Sequence, residues 1–374
     1  MKYNITVPAR GNISTPGSIE FLEHTLLMQL VVLSTLAVLG VVGNIIIIVT
    51  GLRRLCLSDL RLRQEYKTSF ITNLAVADIL ILIYCVPLHL TQEKGLPMSE
   101  FVCRYLVPLR DVLVLASILT IMAISLERAV AIINPFSLES SQRHTKYWIT
   151  LIWIVAYLLA GLPMAFVMTS NGKYCLPKWS TVKLMNAHKT SAVLFIILPG
   201  IITTLSYIFC VRSLRKFRRR RENSNESTGV QRWSFIKQTQ SVSRIAVVLV
   251  AVFWACNLPL VIYMLTANYQ LITPSLEEHT YSWTVLVILF FSASMLNPIV
   301  LIALSPLYRK SASTCVRFIF TRGNPIARYR SRAQYTKETI NRSEHISIAN
   351  NEYGGENNNA SEFALTARKQ SCAE

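Results

Sequence analysis

Seven apolar stretches, each long enough to cross a bilayer, constrain this chain more than any other feature. They run over roughly 25–51, 67–90, 102–133, 146–168, 190–211, 243–267 and 280–304. A hydrocarbon core about 30 Å thick takes roughly 20 helical residues. Backbone groups inside it must be satisfied within the protein, which selects helices for isolated spans. With 52% hydrophobic and 16% charged residues, the composition is that of a membrane protein. The chain therefore reads as an all-α seven-transmembrane helix bundle. A leader at 1–24 precedes the membrane domain at 25–304. A short amphipathic eighth helix is expected at 305–320 and a polar, disordered tail at 321–374.

Charge orients the bundle. With the N-terminus outside, the three inner loops and the tail carry 28 Lys/Arg against 11 Asp/Glu. That surplus of 17 is nearly the whole net charge of +18, as the positive-inside rule requires. The leader holds two glycosylation sequons, at Asn4 and Asn12, which agrees with an outer location. The expected location is the plasma membrane, multi-pass, with lipids as surroundings. The run Arg218–Arg221 follows a span, so it reads as a stop-transfer and lipid-facing cluster, and no nucleic-acid partner is expected. In this orientation only Cys103 and Cys175 face the oxidising side, which makes them a pair.

Polar groups inside the spans mark function by default, because each is costly unless answered. Asn44 and Asp78 lie mid-span, Arg110 and Asp111 in the outer half of the third span, and Glu127-Arg128 at its inner end. Pro87, Pro163, Pro199, Pro259 and Pro298 interrupt five spans.

Taken together, Asn44, Leu74 to Asp78, Cys103, Glu127-Arg128, Trp153, Pro163, Pro199 with Tyr207, Phe253 with Cys256 and Pro259, and Asn297-Pro298 resemble the signature of the rhodopsin-like (class A) G-protein-coupled receptors. The likeness covers about residues 25 to 320. It implies a Cys103–Cys175 disulfide, and a switch made of Glu127, Arg128, Pro135, Phe136, Tyr207, Asn297 and Pro298. It also implies a ligand pocket around Arg110, Asp111, Val114, Asn257 and Phe291. Asp78, Ser117, Ser294 and Asn297 match positions that hold a sodium ion in family members, and oxygen ligands suit a hard cation. No other cofactor is implied. Cys315 is a candidate palmitoylation site, and Ser343, Ser347 and Thr366 are candidate phosphorylation sites for arrestin recruitment.

Asn171-Gly172 between short β-compatible runs predicts a hairpin ahead of Cys175. Such a hairpin resembles the peptide-binding branches, so a neuropeptide is the leading ligand. A small anionic or lipid ligand is the alternative. Arg110 stands where amine receptors of the family place an acid, and residues 279–304 contain no lysine for a retinal Schiff base. Arg110 either meets an anionic ligand group or pairs with Asp111. The lysines at 173, 178, 183 and 189 form either a ligand contact or a solvated rim. Four positions depart from the family pattern: Asn257, Leu301, Ala129 and Thr239 replace an aromatic, a tyrosine, an aromatic and an acid. A transporter would show an internal repeat, and an enzyme would show clustered catalytic or metal-ligating groups. The sequence offers neither, and no enzymatic activity is expected.

Overall fold

The computed structural model describes residues 16–55, 69–133, 138–222, 230–268 and 275–321. Side chains at 16–19, 53–55, 131–133, 138–143, most of 214–246, 315–321 and a few single positions fall outside the description. Eight helices are labelled in chain order. They are α1 (Pro16–Leu55), α2 (Ser69–Glu93), α3 (residues 102–133), α4 (residues 138–167), α5 (Val182–Glu222), α6 (Val230–Asn268), α7 (Leu276–Leu304) and α8 (Pro306–Thr321). The first seven each contain a stretch long and apolar enough to cross a bilayer. Five of them start earlier than the hydropathy suggested: α1 at Pro16, α4 at Leu138, α5 at Val182, α6 at Val230 and α7 at Leu276. Apolarity marks only the membrane-crossing part of a helix. At about 1.5 Å per residue, the 41 residues of α5 reach about 60 Å, twice the hydrocarbon core.

Neighbouring helices pack in the order α1–α2–α3–α4, with α5 on α3, α6 on α5, α7 on α6, and α7 closing onto α1. Helix α3 touches α2, α4, α5 and α6, and is the axis of the bundle. The closure of α7 onto α1 is tight, because a Cβ on Gly43 would meet the Pro298 ring at 2.9 Å.

Prolines divide the helices into two sets. Pro87, Pro108 and Pro163 each follow by two residues a single π-helical turn: Ile81–Cys85, Val102–Leu106 and Tyr157–Gly161. In each case the N–H just before the proline donates five residues back, Val86 to Ile81, Val107 to Val102 and Leu162 to Tyr157. A proline ring clashes with the carbonyl four residues earlier, and a widened turn moves that carbonyl away. Pro199, Pro259 and Pro298 lie inside α5, α6 and α7 without such a turn.

The expected hairpin forms between α4 and α5. Strand β1 (Met168–Ser170) pairs antiparallel with β2 (Cys175–Pro177), with Ser170 opposite Cys175. The Asn171 carboxamide oxygen accepts the N–H groups of Lys173 and Tyr174 at 3.1 and 2.7 Å. Gly172 holds φ +90°, open to glycine at little steric cost. The Cys103–Cys175 disulfide ties β2 to the start of α3, with the Cα atoms 5.2 Å apart. Glu100 holds β1 at the same place. Its carboxylate accepts the Ser170 N–H at 2.6 Å, the Arg104 guanidinium at 2.9 Å and the Thr169 hydroxyl at 3.3 Å. After Ser305, which is extended, α8 runs off α7, and Thr50 of α1 donates to Ser311 at 2.6 Å.

The sequons at Asn4 and Asn12, the pair Pro135-Phe136, the run Arg218–Arg221 apart from Arg219, and the tail serines lie wholly or in their side chains outside the described residues, as does the Cys315 side chain.

The Ser170 N–H first, then Arg104 and Thr169, hold the Glu100 carboxyl below the 4.5 of a free glutamate. A depressed folded pKa means that this anchor contributes fully above pH 4.5 and is lost as pH falls through the lower folded value. The Ser170 amide should therefore be protected from hydrogen exchange at about pH 6 and lose that protection toward about pH 3, after correction for intrinsic rates. Glu100→Gln should abolish the pH dependence. Unchanged protection across the window in the parent protein would show that the carboxylate does not anchor the strand.

Candidate functional site

A polar core sits halfway along the bundle. Asp78 of α2 is 1% exposed. Its two oxygens accept from Asn297 of α7 at 2.8 Å, Ser294 of α7 at 2.9 Å and Ser117 of α3 at 3.3 Å. The four residues read from the sequence as one site are thus brought together from three helices. Asn44 of α1 joins them, donating to the Ser294 carbonyl at 3.0 Å and to the Gly40 carbonyl at 2.9 Å. A buried carboxylate without donors would cost several kcal/mol, and here three donors answer it. A cavity of about 30 Å³ adjoins the carboxylate and is lined also by Val114, Phe253, Asn257 and Phe290. That is room for a small ion or a water. A carboxylate with two hydroxyl oxygens is a donor set that fits a hard cation.

Toward the hairpin, the pocket residues separate. Val114 and Asn257 line the cavity, the latter donating to the Phe253 carbonyl of its own helix at 2.8 Å. Phe291 does not line it. It packs into a cluster with Leu33, Ile81, Leu82 and Val287, and its neighbour Phe290 takes the lining position. One residue is about 100° of helix, so the two adjacent phenylalanines face different ways. Arg110 donates from Nε to Asp111 at 3.1 Å, each side chain about a third exposed (33% and 30%). This is the internal pair of the two sequence readings for Arg110. His89 is buried near them, its ring 6.0 Å from Phe291. Trp254 donates to Thr204 of α5 at 2.9 Å, so its indole is bound to α5.

At the opposite end of α3, Arg128 approaches Glu127 at 3.8 Å, an ion pair too long for a hydrogen bond. Tyr207 and Cys210 of α5 lie within electrostatic reach of Arg128. Ala129 packs on Cys210, and Tyr207 on Val250 and Trp254. Leu301, read from the sequence as a lost hydroxyl, closes an apolar cluster. With Ile47, Ala75, Ile245, Leu249 and Tyr308 it joins α1, α2, α6, α7 and α8. The Thr239 side chain is outside the described residues.

Of the polar bridges that sequence reasoning missed, two rest on buried amides. Trp153 of α4 donates to Asn73 at 3.0 Å, and Asn73 of α2 donates to Thr120 of α3 at 2.9 Å. Gln29 of α1 donates to Thr284 of α7 at 2.6 Å. Asparagine or glutamine inside an apolar run is the signal that would have found both.

The sequence family described as 7 transmembrane receptor (rhodopsin family) matches residues 43–301. Among curated relatives, a QRFP-like peptide receptor of Branchiostoma floridae is 28% identical, over 68% of this chain and 70% of its own length. The urotensin-2 receptor of Macaca mulatta is 30% identical, over 68% of this chain and 62% of its own. Galanin receptor type 1 of Homo sapiens is 26% identical, over 79% and 83%.

Truncating Asn73 to Ala should leave the Trp153 N–H without its acceptor, at a cost of about 1–3 kcal/mol. A lowered melting temperature of the detergent-purified protein would report it. Asn73→Leu combined with Trp153→Phe removes both partners and should restore much of the loss. If Asn73→Ala melts with the parent protein, the bridge contributes nothing.

Proposed function

The chain belongs to the rhodopsin family of seven-transmembrane receptors, and from that premise we propose a plasma-membrane neuropeptide receptor with its N-terminus outside. It passes the binding of an extracellular peptide at the hairpin face to a heterotrimeric G protein at the Arg128 face. The observation that carries this reading is that α3 bears both ends of the device. Cys103 ties it to the hairpin beside the outer pocket, and Glu127-Arg128 stand at its other end. The name of the Branchiostoma floridae relative, a QRFP-like peptide receptor, favours a peptide over a small anionic or lipid ligand. So does the Arg110–Asp111 pair, which leaves Arg110 partly neutralised.

Signalling here is a shift of population, not a reaction. A ligand favours the state in which α6 swings outward at the Arg128 face, bending at Pro259. The swing parts Ile245 and Leu249 from Leu301 and Tyr308, and Arg128 exchanges Glu127 for Tyr207 and the docking G-protein helix. Phe136, after Pro135, would insert into the G protein. A sodium ion held by Asp78, Ser117, Ser294 and Asn297 would favour the closed state by occupying the cavity between α2, α3 and α7. Glycosylation at Asn4 and Asn12, palmitoylation at Cys315 and arrestin recruitment by a phosphorylated tail belong to the same proposal.

Arg128→Ala, compared with the parent at matched surface expression, should bring ligand-stimulated G-protein activation near background. Full retained signalling would remove Arg128 from its role. Replacing sodium by a large organic cation at constant ionic strength should raise agonist affinity in the parent and leave Asp78→Ala unaffected. Equal responses would mean that no sodium acts at Asp78.

A further inference from the structure

The hairpin face carries a basic cluster that the helix bundle does not explain. From residue 168 to 189 the chain has four lysines, at 173, 178, 183 and 189, and no Asp or Glu. Lys173 sits in the hairpin turn, with its aliphatic stem and Tyr174 over the Gly95 turn. Lys178 follows β2 directly, and Lys183 and Lys189 lie in the first two turns of α5. The first three are exposed.

Three observations set this cluster apart from an ordinary solvated rim. It runs against topology, because the positive-inside rule depletes the outer face of Lys and Arg. Nor does it serve the anionic lipids, which belong to the cytoplasmic leaflet. Second, none of the four lysines forms an ion pair among the described residues. Three carboxylates of this face are already engaged: Glu100 by Ser170 and Arg104, Glu278 by the Ser275 capping box, Asp111 by Arg110. Third, the face is polarised. Glu20 and Glu23 lie on α1 and Glu277 and Glu278 on α7, adjacent helices, whereas the lysines lie on the hairpin and α5.

We propose that the hairpin and the outer end of α5 form an anion-recognising rim, and that the ligand is a peptide with an acidic segment that docks there. This rests on the peptide-receptor reading above. The acidic segment lies over the lysines and orients the remainder toward the cavity mouth. Rim charges of this kind act mainly on encounter rate and orientation, and salt screens them.

The test uses cells displaying the full chain and two matched pools of synthetic peptides. One pool contains Asp and Glu, and the other has Asn and Gln at the same positions. On the parent, the acidic pool should activate with about tenfold higher potency, a margin that shrinks as salt is raised. Combined Lys173→Gln, Lys178→Gln and Lys183→Gln should erase the margin at unchanged surface expression, leaving the potency of the neutral pool intact. The three corresponding Lys→Arg changes should keep it, which separates charge from folding. Equal potency of the pools on the parent would overturn the acidic rim and leave the peptide reading standing. Activation by neither pool would sink the peptide reading, and this inference with it. Peptide-independent binding of heparin oligosaccharides that the Lys→Gln changes abolish would assign the lysines to a surface polysaccharide instead and overturn the proposal.

Discussion

Lipid tails neither donate nor accept hydrogen bonds, so a polar side chain on a spanning helix must find its answer on another part of the protein. That requirement organises this bundle. Asp78 draws α3 and α7 onto α2 through Ser117, Ser294 and Asn297. Asn44 adds α1 through the Ser294 carbonyl, and Asn73 adds α4 through Trp153. Gln29 repeats the link of α1 to α7 through Thr284. Between α5 and α6 a polar bridge also forms, from Trp254 to Thr204. These bonds fix orientation as well as contact, because each needs two helices in one rotational setting.

The bonded helices are not equally restrained along their length. Around Asp78 the polar groups hold α1, α2, α3, α4 and α7 together. At the Arg128 face, α6 meets α7 and α8 through Ile245, Leu249, Leu301 and Tyr308, which are apolar contacts except for one phenol. Apolar contacts are non-directional and can slide or part without stranding a buried hydrogen bond. The departure at Leu301 therefore trades a directional group for packing at the joint where the proposed motion occurs. Its neighbourhood, not its lost hydroxyl, describes what it does in the closed state.

Much of this was legible from residues alone. A carboxylate in an apolar run announces that it needs partners, which marked Asp78 before any geometry; the resemblance to the receptor family supplied Ser117, Ser294 and Asn297. Asn171-Gly172 announced a turn, and the compartment of Cys103 and Cys175 announced their bond. What stayed hidden was rotational. Phe290 and Phe291 are chemically identical and only about 100° apart, so composition cannot say which one faces the cavity. Helix ends were hidden too, since α5 continues through Lys183 and Lys189, where apolarity has stopped. Asn73 was overlooked because an amide is a quieter signal than a charge five residues away.

The π-helical turn at Ile81–Cys85 carries a consequence for how the outer wall is phased. A turn with one residue more than its neighbours advances everything beyond it by one register position. His89 therefore faces where a regular helix drawn upward from Asp78 would have put the residue before it. Deleting a single residue within that turn would restore the regular winding and leave His89 facing where it does now, whereas straightening the turn with its residue kept would rotate the outer end of α2 by about 100°. The inner end, pinned by Asp78, would stay in place. The extra residue thus sets the phase of the wall beside Arg110 against the mid-bundle network, with no side chain exchanged.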